Sequence, residues 1–179
     1  MHGTETASPW VRRWSHLVAP GAPVLDVACG QGRHMRWFQG RGHPVTGIDR
    51  APEAVAAAQD LGEALQADIE GGPWPLPGRQ FGAVVVTNYL WRPLFPALLA
   101  SLSPGGVLLY ETFASGNETV GRPARAEFLL QDGELLRLCA GLRVVAFEDG
   151  FLPDPPRFVQ RVAAVRPSGE PLPRFHLPA

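Results

Sequence analysis

Residues 24–32 read Val24-Leu25-Asp26-Val27-Ala28-Cys29-Gly30-Gln31-Gly32, and the next six, Arg33 to Phe38, have helical character. An apolar run of this length suits a strand buried on both faces of a parallel sheet. Small residues follow it, and then a helix begins. Gly30 and Gly32 let the backbone approach a ligand closely, and the helix start offers unpaired N–H groups. The stretch predicts a nucleotide-cofactor cradle at the end of a first strand.

The same grammar repeats outward. Upstream, Ser8 can cap a helix and Pro9 fits its first turn, giving an N-terminal helix over about residues 8–19. Trp10, Trp14, Leu17 and Val18 share one face of it. Residues 1–7 read as loose. Downstream, strands are expected at 44–48, 64–67, 81–87, 107–110, 142–147 and 158–165, with helices at 32–39, 51–60, 94–102 and 135–139. Three prolines and three glycines within 71–80 forbid a crossover helix there, so Trp74 and Leu76 pin an open loop to the sheet. A tight turn is expected at 103–106, and 111–130 reads as irregular. The last two strands have only a loop between them, at 150–156, which predicts a hairpin and an antiparallel final strand. The fold class is therefore α/β: a doubly wound, Rossmann-like, seven-stranded sheet with an antiparallel last strand. One domain spans 1–179, with its core at about 23–166 and a proline-rich tail at 167–179.

Composition narrows the function. A chain of 179 residues suits one core, and a formal charge of −1 gives no bias toward nucleic acid or membrane. All 16 basic residues are arginine. Two cysteines, Cys29 and Cys139, make no disulfide framework, and no apolar run approaches the ~20 residues of a membrane span. A reducing cytoplasm is the default, with no metal site in view.

The 26–32 stretch resembles the first motif of class I S-adenosylmethionine-dependent methyltransferases, in which an acidic residue precedes Gly-x-Gly-x-Gly. Here Ala28 replaces the first glycine. An antiparallel last strand is also a feature of that fold. The segment 110–130 resembles small bacterial members related to the tellurite-resistance family. The resemblance implies S-adenosylmethionine as cofactor, held around Asp26, Ala28, Cys29, Gly30 and Gly32. Asp49 ends the second strand 23 residues after Asp26, beside Arg50. A carboxylate there can accept both hydroxyls of a ribose diol; its alternative role is a helix cap. Asp68 and Ile69 match the motif that meets adenine, the alternative being a solvated loop acid. Asn88 would hold the methionine part, with Tyr89 and Trp91 walling the substrate cavity. Arg92, Asn117, Arg122 and Arg125 are candidates for binding substrate. Trp10 and Arg13 would fold over the cofactor.

No catalytic residue is fixed. Glu111, Tyr89 and His34 are candidates, against structural roles for each. Methyl transfer from a sulfonium needs an in-line nucleophile more than a strong base. The reading is methyl transfer to a small-molecule acceptor with a soft or readily deprotonated nucleophile, by a monomer or homodimer. The chain lacks the Asn/Asp-Pro-Pro-Tyr/Phe and Pro-Cys signatures of nucleic-acid methylation, although an RNA or protein acceptor stays open. Two rivals stand beside it. One is a binding protein for S-adenosylmethionine or S-adenosylhomocysteine without turnover. The other is a nicotinamide-dependent oxidoreductase, disfavoured because Met35 occupies its third glycine position.

Overall fold

The computed structural model describes residues 6–171 and 173–178. The reading of residues 1–5 as loose lies outside them. Helix α1 (Pro9–Trp14) starts where the Ser8 hydroxyl accepts the Trp10 N–H, and a 3-10 turn continues it at Ser15–Leu17. There follow β1 (Val24–Val27), α2 (Arg33–Gln39), β2 (Val45–Asp49), α3 (Pro52–Ala58), β3 (Glu63–Gln66) and β4 (Phe81–Thr87). The second half holds α4 (Phe95–Ala100), β5 (Leu102–Phe113), α5 (Glu134–Leu138), β6 (Arg143–Pro153) and β7 (Pro156–Val165).

The seven strands form one sheet in the order β3-β2-β1-β4-β5-β7-β6. Strands β1 to β5 run parallel, and β7 lies antiparallel between β5 and β6. Alternate residues feed two cores. Leu25, Val27, Val84, Val86, Leu108 and Tyr110 pack beneath α4 and α5. Val24, Ala83, Val85, Val107 and Leu109 pack against Trp10, Trp14, Met35 and Phe38 on the other face. Trp10 is thus a core residue, fixed by its indole N–H to the Val162 carbonyl at 3.1 Å, rather than a cover for a cofactor. No helix forms between β3 and β4; Leu76 is buried and the Trp74 indole N–H donates to its carbonyl.

Two local expectations are corrected. The turn at 103–106 does not precede β5 but interrupts it: Phe81 pairs with Leu102 and Ala83 with Val107, so the intervening residues bulge out. The predicted 150–156 loop closes into a longer hairpin, with Pro153 paired to Pro156. Within the tail, Phe175 packs on the α1–α2 side of the sheet, and His16 Nε2 lies 2.8 Å from the His176 carbonyl. Among the described residues no helix is long and apolar enough to cross a membrane, and no cluster of three or more His, Cys, Asp or Glu could hold a metal ion.

Candidate functional site

From β1 the chain builds β2 and β3 outward on one side, then returns to add β4 on the other. Ligands of open α/β sheets bind beyond the strand ends at such a reversal. Two non-glycine residues of the described chain have positive φ, Ala28 and Asn88, both at 55°. They follow β1 and β4, the two strands that flank the reversal. Ala28 thus adopts the left-handed geometry that glycine takes without strain, at a cost of about 1 kcal/mol. The requirement that makes glycine usual at this place is present here.

Two cavities open at these strand ends. The smaller, about 300 Å³, is walled by Ala28, Asp49, Arg50, Tyr89, Phe128 and the segment 67–70 that contains Asp68 and Ile69. Asp49 Oδ2 accepts the Gly30 N–H at 2.8 Å, and its Oδ1 accepts the Ala51 N–H at 2.9 Å. One carboxylate therefore ties the glycine turn to the start of α3, and each oxygen keeps acceptor capacity for a ligand. Asp68 Oδ1 accepts the N–H groups of Gly71 and Glu70, which hold its carboxyl below the ordinary value. Tyr89 Oη is buried with no hydrogen-bond partner. Burial, then the Glu70 and Asp68 carboxylates, push that phenol well above its usual range, which favours its neutral form.

Three residues of the turn shape the cradle without walling either cavity. Gly30 and Gly32 have φ of 53° and 76°. Cys29 is buried, and its thiol is pushed up by burial, then by Asp26 and Asp49, which keeps it unreactive. Met35, where a dinucleotide fold wants glycine, packs closely because β2 supplies the glycine instead. A Cβ on Gly47 would stand 2.4 Å from Met35 Sδ and 2.8 Å from Cys29 Sγ.

The larger cavity, about 630 Å³, is walled by Ser8, Pro9 and Arg12 of the N-terminal segment, Arg33 of α2, Asn88, Glu111 and Phe113. Asn117, Arg122 and residues 154–157 complete it. Glu111 is buried, and each of its oxygens has a partner. Its Oε1 accepts the Ser8 hydroxyl at 2.9 Å and its Oε2 accepts Arg161 Nη1 at 3.1 Å. Arg161 also donates to Glu148 and lies 4.9 Å over the Trp10 ring. His34 is buried, its Nε2 accepting the Ser8 N–H at 3.2 Å and its Nδ1 lying 3.7 Å from Asp26 Oδ2. His34 thus anchors the N-terminal segment, Asp26 Oδ2 is buried without a hydrogen-bond partner, and neither residue walls a cavity. Asn117 is spent on the Pro123 carbonyl and the Phe158 N–H.

Trp91 and Arg92 also lie outside both cavities. Trp91 packs on the core, and Arg92 grips Glu134 with contacts of 2.6 and 2.9 Å while binding the Glu127 and Leu129 carbonyls. Arg125 pairs with Glu127 on the surface, and Arg13 with Glu148. Burial would raise the Glu134 carboxyl, but hydrogen bonds from Arg92 and the Gln131 N–H outweigh it, holding the group below its ordinary 4.5. A carboxyl depressed by folding stabilises the fold above its unfolded pKa, and that contribution is lost as pH falls through its folded pKa. Glu134→Gln is therefore expected to flatten the loss of stability below about pH 4.5, read from urea melts at a series of acidic pH values.

Sequence reasoning missed Arg12, Arg33, Glu70, Phe128 and Arg157. Arg33 directly follows the glycine turn and could have been found from that spacing. Arg157 could not, because the register of the β6–β7 hairpin alone carries it to the cavity.

Residues 24–106 match the sequence family described as a methyltransferase domain. A malonyl-[acyl-carrier protein] O-methyltransferase of Serratia marcescens is 37% identical over 107 residues, which is 55% of this chain and 41% of that protein. The chain spans about half or less of the length of the curated relatives it matches first. TehB of Haemophilus influenzae shares the fold with a TM-score of 0.75 at 17% identity, over 89% of this chain and 62% of that one. A SAM-dependent methyltransferase of Methanosarcina mazei does so with a TM-score of 0.71 at 15% identity, over 90% of this chain and 99% of that one. Residues 24–106 of the chain are thus similar to methyltransferase domains, and its seven-stranded sheet shares the fold of TehB.

Proposed function

We propose that the protein transfers a methyl group from S-adenosylmethionine to a small-molecule acceptor, in the cytoplasm, as a monomer or homodimer. The observation that carries this reading is the pair of cavities meeting at consecutive residues: Tyr89 walls the smaller and Asn88 the larger. Apolar walls at Ala28, Ala67 and Ile69 suit a flat base, and Asp49 and Asp68 present carboxylates to its hydroxyls and exocyclic amine. Asp49, Asp68 and Ile69 would hold the adenosine, and Asn88 would face the methionine end. The cofactor supplies an activated methyl group. The residues of the chain supply position and dryness.

Of the two acids in the larger cavity, Glu111 already holds Ser8 and Arg161, and Asp154 lies at the turn of the β6–β7 hairpin; His34 lies outside the cavity and accepts the Ser8 N–H. This supports an acceptor that needs little deprotonation. Calorimetry of S-adenosylmethionine, S-adenosylhomocysteine and NADH, followed by a panel of thiols, amines, carboxylates and chalcogen oxyanions, tests the assignment. Binding of both sulfur nucleotides but not NADH, with methylation of a panel member, is expected. Methylation of tRNA or protein alone would overturn the small-molecule acceptor, and binding without any turnover would overturn the enzyme.

A further inference from the structure

The walls of the larger cavity carry four arginines, Arg12, Arg33, Arg122 and Arg157, from four different parts of the chain. Two acids share those walls, Glu111 and Asp154. Each oxygen of Glu111 already has a partner, Ser8 for one and Arg161, which does not wall the cavity, for the other. No carboxylate among the described residues forms an ion pair with Arg12, Arg122 or Arg157. Arg12, Arg122 and Arg157 thus wall one space without a carboxylate partner, and an anion is the ligand that suits them. The cavity, about 630 Å³, is in the range of organic ligands, far above a compact inorganic oxyanion.

We propose that the acceptor is an organic anion, bound through its negative groups by Arg12, Arg122 and Arg157, whose attacking atom carries no proton at neutral pH. The inference rests on the methyltransferase reading and names its substrate class. The acceptor's lone pair forms the bond to the methyl carbon while the carbon–sulfur bond breaks and its electron pair stays on sulfur. One negative charge of the acceptor and the positive charge of the sulfonium cancel. No proton is released, so no base is required, in keeping with the engagement of Glu111. Arg33 is held below its ordinary value chiefly by burial, against the pull of Asp26 and Glu111, with Arg157 adding a smaller push.

The test is calorimetry on the whole chain saturated with S-adenosylhomocysteine, at low ionic strength. The probes are mono- and dicarboxylates and phosphomonoesters, each beside its neutral amide or alcohol counterpart. At least one anion is expected to bind about tenfold or more tightly than its counterpart, and to weaken with added salt. The double variant Arg122→Gln/Arg157→Gln is expected to lose about tenfold or more of that affinity, with its affinity for S-adenosylhomocysteine kept. With the best acceptor found, an indicator dye should register no proton release per methyl transferred. Equal binding of anions and neutral counterparts, an unaffected double variant, or one proton released per turnover would each overturn the inference. Failure of S-adenosylhomocysteine to bind at all would instead strike the reading beneath it.

Discussion

Asp49→Ala is expected to weaken binding of S-adenosylhomocysteine by about a hundredfold. The proposed ribose diol would lose two charge-assisted hydrogen bonds, each worth about 1.5 kcal/mol or more. The same carboxylate accepts the N–H groups of Gly30 and Ala51, so the variant also frees the glycine turn from the start of α3. A stability loss of about 2 kcal/mol is expected with it. Asp49→Asn separates the two effects. Its amide oxygen keeps one backbone bond and its NH₂ group keeps the shape, so the fold should hold while affinity falls about tenfold. Calorimetry and thermal melts of both variants read the two quantities independently. Unchanged affinity in a folded Asp49→Ala variant would remove the sugar from this site.

The second large effect is on stability. Glu111→Ala is expected to cost about 3 kcal/mol, because removing the buried partner of Arg161 leaves that charge only weakly compensated. Arg161 would retain Glu148, which is more exposed, and Ser8 would lose the bond that holds the N-terminal segment over the larger cavity. The acceptor site should loosen, so KM for the acceptor rises more than kcat falls. Glu111→Gln restores a neutral hydrogen-bonding group and should recover much of the stability, with kcat within about tenfold of the natural protein. A thousandfold loss of kcat in a stable Glu111→Gln variant would instead make Glu111 a general base, a role typically worth about 10²–10⁴.

The sequence made legible whatever lay within one β–turn–α unit. Asp49 could be placed because β1, α2 and β2 are consecutive, and strand length with turn chemistry fixes where each strand ends. The same locality gave Asp68, Ile69 and Asn88. The antiparallel ending was readable because a hairpin leaves no room for a helix. The larger cavity was not readable in the same way. Ser8 reaches Glu111 across 103 positions of sequence, and Arg157 arrives through a hairpin whose tip sequence predicts only as a loop. Arginine type alone could not say which side chains face a ligand. Arg92 and Arg122 look alike in the sequence, yet Arg92 is locked onto Glu134 and Arg122 walls the cavity. Nor could residue type separate a general base from a strut at Glu111; its two partners favour the strut, and the Glu111→Gln variant decides.

The alanine at position 28 is instructive in the same way. As a departure from the glycine pattern it looks like a weak point of the resemblance. Its φ of 55° shows the turn holding the left-handed geometry regardless, as Asn88 does on the neighbouring strand. Paired positive-φ residues at a strand-order reversal mark strain concentrated where a ligand is expected to lie.

A crystal structure of the protein with S-adenosylhomocysteine tests the central claim most directly. The account predicts adenine between Ile69 and Tyr89 in the 300 Å³ cavity, both ribose hydroxyls on Asp49, and the sulfur pointing past Asn88 toward the arginine-lined space. A nucleoside seated in the larger cavity, or ribose hydroxyls turned away from Asp49, would contradict it.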